Sequence, residues 1–75
     1  MNPRLPRISG RELIAALEKS GFRVTHARGS HHILRRADGL RLVVPVHAGQ
    51  TIGPGLLTKI LRQARLSSAQ LRELL

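Results

Sequence analysis

The sequence predicts an α+β domain of order α-β-β-β-α-α, a three-stranded antiparallel meander with both main helices on one face. Three observations lead there. A capped apolar segment runs from Ser9 to Gly21, two short runs flank Asp38-Gly39, and an amphipathic segment follows Pro54.

Ser9-Gly10-Arg11-Glu12 fits a capping box, and Leu13, Ile14 and Leu17 recur at helical spacing until Gly21 stops the helix, giving a first helix over roughly 10–20. Phe22 and Val24 alternate with Arg23 and Thr25, which predicts a half-buried strand to about Ala27, with Arg28-Gly29 as the turn. From Ser30 to Arg36, one face carries His31, Ile33 and Arg35 and the other His32, Leu34 and Arg36. Each face holds one aliphatic residue, so periodicity leaves the buried side open. Asp38-Gly39 is a hairpin signal, and Leu40–Val44 returns as the third strand, which Pro45 ends. Residues 46–53 lack periodicity and read as a loop. Pro54 then fits a first helical turn, and Leu56, Leu57, Ile60, Leu61 and Ala64 mark a second helix to about Arg65. Ser67 or Ser68 caps a short last helix bearing Leu71, Leu74 and Leu75. The 75 residues fit one domain, residues 9–75, preceded by a basic N-terminal arm, residues 1–8. With the helices below, the other sheet face stays open to solvent or a ligand.

Thirteen basic residues against four acidic ones give a formal charge of +9, which points to a polyanionic partner. Eleven of the thirteen are Arg, whose planar fork suits bidentate phosphate contacts. Phe22 is the one aromatic residue, so base stacking, the usual route to sequence-specific single-strand recognition, is nearly excluded. The absence of cysteine removes disulfides, thiolate metal sites and thiol catalysis, and a cytoplasmic protein is expected. Met1 to Arg7 holds two prolines and two arginines rather than an apolar run, so neither a signal peptide nor a membrane span is expected, and no membrane partner.

The acids Glu12, Glu18, Asp38 and Glu73 suggest no catalytic pair, since three fall on helix positions and Glu12 is explained as a cap. Histidine remains as acid or base. His26, His31, His32 and His47 show no metal-ligand spacing, and the adjacent His31 and His32 point to opposite faces, so no metal or other cofactor is expected. His31 stands out by its setting after Gly29 and Ser30, at the start of a rigid strand. An imidazole can take a proton from a ribose 2′-hydroxyl at neutral pH, and arginines can stabilise the phosphorane-like transition state. The strand reading sets Arg28, Arg35 and Arg41 around the same sheet, where they would hold an RNA backbone.

The capped helix ending at Gly21-Phe22, the segment ARGSHHILRRADG and the segment RLVVPVHAGQTIGPGLLTKILRQARLS together resemble the HicA family of small messenger-RNA-cleaving toxins, over about Ser9 to Ser67. The sharpest features are Gly-Ser-His, the Asp-Gly hairpin, the Val-Pro ending of strand three and the final ILRQARL. The resemblance implies a fold like a double-stranded-RNA-binding domain, cleavage of messenger RNA by one strand histidine, and inhibition by a HicB-type antitoxin. It selects His31, directly after Gly29-Ser30, with the adjacent His32 as the off-by-one alternative. If Leu34 faces the core, His31 is exposed and His32 points inward. The second helix opens Gly53-Pro54-Gly55-Leu56, without the lysine cluster that duplex-RNA binders place there, so duplex binding of that kind is not expected. Two rival readings stand beside this one. The first is a catalytically inactive RNA-binding module of the same fold, and the second a DNA-binding helix-turn-helix over residues 54–75, against which the last helix is short and leucine-rich.

Overall fold

The computed structural model describes residues 5–75, so residues 1–4, the start of the expected arm, lie outside it. Its elements are α1 (Gly10–Lys19), β1 (Arg23–Arg28), β2 (His31–Arg35), β3 (Arg41–Pro45), α2 (Pro54–Ala64) and α3 (Ser68–Leu74). The strands form one antiparallel sheet in the order β1-β2-β3, which is the expected α-β-β-β-α-α meander.

Both ends of α1 are closed by short-range chemistry. The Ser9 hydroxyl accepts the Glu12 N–H at 3.1 Å while the Glu12 carboxylate accepts the Ser9 N–H at 2.9 Å. That backbone donor, with the Ser9 hydroxyl, holds the Glu12 carboxyl below the usual carboxylate range. At the other end Gly21, at φ 98°, lets its own N–H reach the Glu18 carbonyl and the Phe22 N–H reach that of Leu17. This reversal drops Phe22 into the core, 1% exposed. The Arg36 guanidinium lies over the Phe22 ring, 4.8 Å from its centre, and forks onto Asp38 at 3.0 and 2.8 Å. The hydrogen bonds from Arg36 hold the Asp38 carboxyl down to about 2. Arg36 is thus committed to structure.

Helices α1 and α2 both lie against β3, and α3 packs on α1. The sheet contributes Leu34, Leu42 and Val44 to the core, from β2 and β3 only. This corrects the half-buried strand expected from Phe22 to Ala27. Every residue of β1 is exposed, Val24 at 38%, because β1 is the edge strand farthest from the helices. It is anchored by Phe22 at one end and by its pairing with β2. It is also bulged: Val24 pairs with Leu34 and His26 with Ile33, which leaves Thr25 as the extra residue. The Thr25 hydroxyl donates to the Ile33 carbonyl at 3.4 Å.

Two turns join the strands. Gly29 and Ser30 form a two-residue link between the paired Arg28 and His31, with only Gly29 at positive φ (59°), as in a type II′ hairpin. The second link places Gly39 at φ 93°, and the Gly39 N–H reaches the Arg36 carbonyl at 2.9 Å. Strand β3 runs one residue further than expected, through Pro45, where the edge position needs no further N–H. The following segment returns to the start of the domain: the Ile52 N–H donates to the Ile8 carbonyl at 2.8 Å, and Ser9 bridges Thr51. Ile8, 3% exposed, therefore belongs to the core. Helix α2 ends with Arg65 in the left-handed region, φ 60°, and Ser67 rather than Ser68 caps α3 through a second capping box with Gln70.

Gly10 is buried where α1 begins, and a Cβ there would collide with the Pro45 carbonyl and lie 3.1 Å from the Val46 Cα. Both obstacles are backbone at the end of β3, so the clash can be relieved only by moving α1 off the sheet. Gly10→Ala should lower stability by about 1–3 kcal/mol, read from urea unfolding midpoints, despite alanine's better helix propensity. A stabilised variant would contradict this packing.

Candidate active site

Leu34 settles the face that periodicity leaves open. It has no exposed surface, so alternation turns His31, Ile33 and Arg35 to the open side of the sheet. His31 is exposed. His32 is half-buried and opposite the fully buried Val44, with its Nδ1 3.3 Å from the Ser30 carbonyl, to which an Nδ1–H tautomer donates. The same carbonyl accepts the Val46 N–H at 2.7 Å. Ser30 is thereby tied to the end of β3, and the turn holds His31 at the head of its strand. A Cβ on Gly29 would meet no protein atom within 4 Å, so space over the turn is open and its glycine serves the positive φ.

The register lays the open face out in three rows across the sheet. Nearest the first turn are Arg28, His31 and Pro45; in the middle His26, Ile33 and Val43; farthest away Arg23, Arg35 and Arg41. His26, Arg28, His31, Ile33, Arg41 and Val43 line one shallow hollow. His31 and Arg41 also border a neighbouring groove, in which Val43 and Pro45 face Leu56, Lys59, Ile60 and Gln63 of α2. His31 therefore stands on the rim shared by the two hollows.

Of the arginines singled out in the sequence, Arg28 and Arg41 join His31 in the hollow. Arg35 shares the face but borders a different depression, with Arg23 and Glu18. Two further groups are brought to the site that sequence reasoning did not single out. His26 arrives through the pairing that starts at the Gly29-Ser30 turn, with Arg28 opposite His31 and His26 opposite Ile33, and a bulge at Thr25 keeps Arg23 on that same face. Nothing in the sequence marks that bulge. Lys59 and Gln63 sit four apart on α2, a visible spacing, but their place beside β3 is a tertiary fact. His47 lies elsewhere, in a hollow beside the start of α1. Among the described residues, no three His, Cys, Asp or Glu side chains gather as a metal site.

Chemically, the face offers imidazoles that can exchange protons and guanidiniums that can bind a phosphodiester, with Ile33 and Val43 as an apolar floor. The fold and this face together define a small α+β domain that presents a basic, histidine-bearing sheet surface. The family described as HicA toxin of bacterial toxin-antitoxin matches residues 10–66, and the chain belongs to that family. It is thus a toxin of a toxin–antitoxin system, with an antitoxin as its partner. A search of curated proteins finds no match. No helix among the described residues is long and apolar enough to cross a membrane.

The row Arg23, Arg35, Arg41 sets three cations directly opposite one another, and none has an ion-pair partner among the described residues. Like charges facing across strands destabilise a sheet. Arg35→Gln, which removes the central charge, should raise the melting temperature at low ionic strength, with the gain shrinking above about 0.5 M salt as screening takes over. An unchanged or lowered melting temperature at low salt would show that the row is not repulsive.

Proposed function

We propose that this toxin is an endoribonuclease that cleaves messenger RNA on the open sheet face, with His31 as general base and no metal ion required. The observation that carries this reading is the placement of His31, an exposed imidazole on a strand fixed from below by Leu34, in one hollow with the guanidiniums of Arg28 and Arg41. Membership of a toxin family adds a reason for destructive chemistry on that surface.

In the proposed reaction His31 takes the proton of a ribose 2′-hydroxyl, and the 2′ oxygen attacks the adjacent phosphorus. The bond to the 5′ oxygen breaks, leaving a 2′,3′-cyclic phosphate and a free 5′ end. Negative charge accumulates on the non-bridging oxygens in the transition state, where Arg28 and Arg41 stabilise it. Preorganisation matters here: the strand holds the imidazole, so little positional entropy is lost at the moment of reaction. Arg23 and Arg35 would extend the backbone track beyond the hollow. Phe22 is buried under Arg36 and cannot stack on bases, so binding would rest on phosphate contacts and fall steeply with salt.

A messenger-RNA substrate implies work in the cytoplasm. The partner that restrains it is proposed to be a HicB-type antitoxin with acidic residues over the His31 face, complementary to the +9 charge of the toxin. Such a cover would exclude RNA sterically and neutralise the cations that attract it.

His31→Ala should abolish cleavage of a labelled messenger RNA and leave the melting temperature nearly unchanged, since the side chain is exposed. His32→Ala should instead lower the melting temperature, because it removes a half-buried ring and a hydrogen bond to the Ser30 carbonyl. Full cleavage by purified His31→Ala would overturn the assignment. RNA binding with no cleavage by the wild type would identify a catalytically inactive RNA-binding module instead.

A further inference from the structure

Transfer of the 2′-hydroxyl proton to His31 leaves half of the reaction without a partner. The departing 5′ oxygen is a poor leaving group as an alkoxide and needs a proton as its bond to phosphorus breaks. Among the groups lining the hollow on the β1 side of His31, the guanidiniums of Arg28 and Arg41 serve to bind phosphate, and Ile33 and Val43 have no proton to give; Lys59 belongs to the neighbouring groove on α2. The remaining group is His26. On the proposed function above, we infer that His26 is the general acid that protonates the 5′ oxygen, so that cleavage uses a pair of histidines from neighbouring strands.

The geometry that points to this is the regular pairing of β1 with β2 outward from the Gly29-Ser30 turn. His26 is opposite Ile33, two positions along β2 from His31, while His31 itself is opposite Arg28. The two histidines are thus diagonal neighbours on one face, a relation that sets Cα atoms about 7–8 Å apart. Side chains on that diagonal can grip the two sides of a single phosphate. The attacking and leaving oxygens of an in-line displacement lie on opposite sides of phosphorus, which is the placement that a base and an acid on the diagonal serve. Arg28 and Arg41 border the same hollow and face the phosphate between them.

The proton balance closes. His31 gains the proton from the 2′ oxygen and becomes cationic. His26, starting protonated, loses its proton to the 5′ oxygen and becomes neutral. One oxygen–phosphorus bond forms and one breaks, nothing is oxidised or reduced, and both imidazoles are exposed, so exchange with water restores them for the next turnover.

The bulge adds to this face and does not create it. The Gly29-Ser30 turn sets Arg28 opposite His31, and unbroken pairing from there sets His26 on the same face. The extra residue at Thr25 then brings Arg23 to that face as well, opposite Arg35.

A sulfur in place of the bridging 5′ oxygen gives a leaving group that departs without protonation, and this separates acid from base. Wild type, His26→Ala, His26→Gln and His31→Ala would be compared on one RNA carrying either the natural linkage or a single 5′-bridging phosphorothiolate at the cleaved bond. On the natural linkage both His26 variants should be slower by about a hundredfold or more. On the phosphorothiolate they should cleave within a few-fold of wild type, while His31→Ala stays inactive on both. Undiminished cleavage of the natural linkage by the His26 variants, with His31→Ala inactive, would overturn the role of His26 and leave the proposed function standing. His26 variants equally slow on both linkages would also overturn it, since His26 would then act in binding or folding. Rescue of His31→Ala in place of the His26 variants would reverse the two roles and overturn this assignment. Full activity of His31→Ala on the natural linkage would instead remove the proposed function itself.

Discussion

Everything on the open face depends on the burial of Leu34. Its side chain is the one residue that β2 commits fully to the core, and it has no exposed surface. Because successive strand residues point to opposite faces, fixing Leu34 below the sheet fixes His31, Ile33 and Arg35 above it. Leu42 and Val44 impose the same order on β3 and thereby turn Arg41 and Val43 outward. A one-residue slip would bury cations and expose three aliphatic side chains, an exchange the small core could not survive. The placement of the charged face is therefore enforced by the apolar face beneath it.

The edge strand obeys a different constraint. With no side chain in the core, β1 has little to fix its own phase and is held by Phe22, the Gly29-Ser30 turn and pairing to β2. Such a strand can accommodate an extra residue at Thr25 without disturbing packing; pairing from the turn sets His26 and Arg28 on the His31 face, and the bulge brings Arg23 to it as well. The cost is electrostatic. The Arg23, Arg35 and Arg41 row places like charges opposite one another where a bound polyanion would relieve them. On the proposed function, stability and affinity for RNA would be opposed at those positions.

Elements with a local chemical signature were legible in the sequence, and those set by tertiary packing were not. Ser9 and Glu12 announce the start of α1 because both halves of the capping box are within one turn, and Gly21 announces its end because a left-handed residue is needed there. Asp38-Gly39 marks the second hairpin for the same reason. Strand β1 was misread because the alternation of Phe22 and Val24 resembles a half-buried strand, whereas Phe22 is buried as the anchor after α1 and Val24 lies beyond the helices. In the site, the exposed position of His31 could be stated only conditionally, since Ile33 and Leu34 compete equally for the core. The bulge that keeps Arg23 on the same face as His26 and the approach of Lys59 to β3 carry no local signal at all.

The central claim is that the open sheet face, with the adjoining edge of α2, receives RNA, and that α1 and α3 do not. Backbone amide shifts followed while wild-type protein is titrated with a 2′-O-methylated RNA, which binds but cannot be cut, map the contact surface directly. The account predicts that the largest changes fall on His26, Arg28, His31, Arg41 and the neighbouring Lys59, with α1 and α3 little affected. Changes concentrated on α1 or α3, with the strands unmoved, would contradict it.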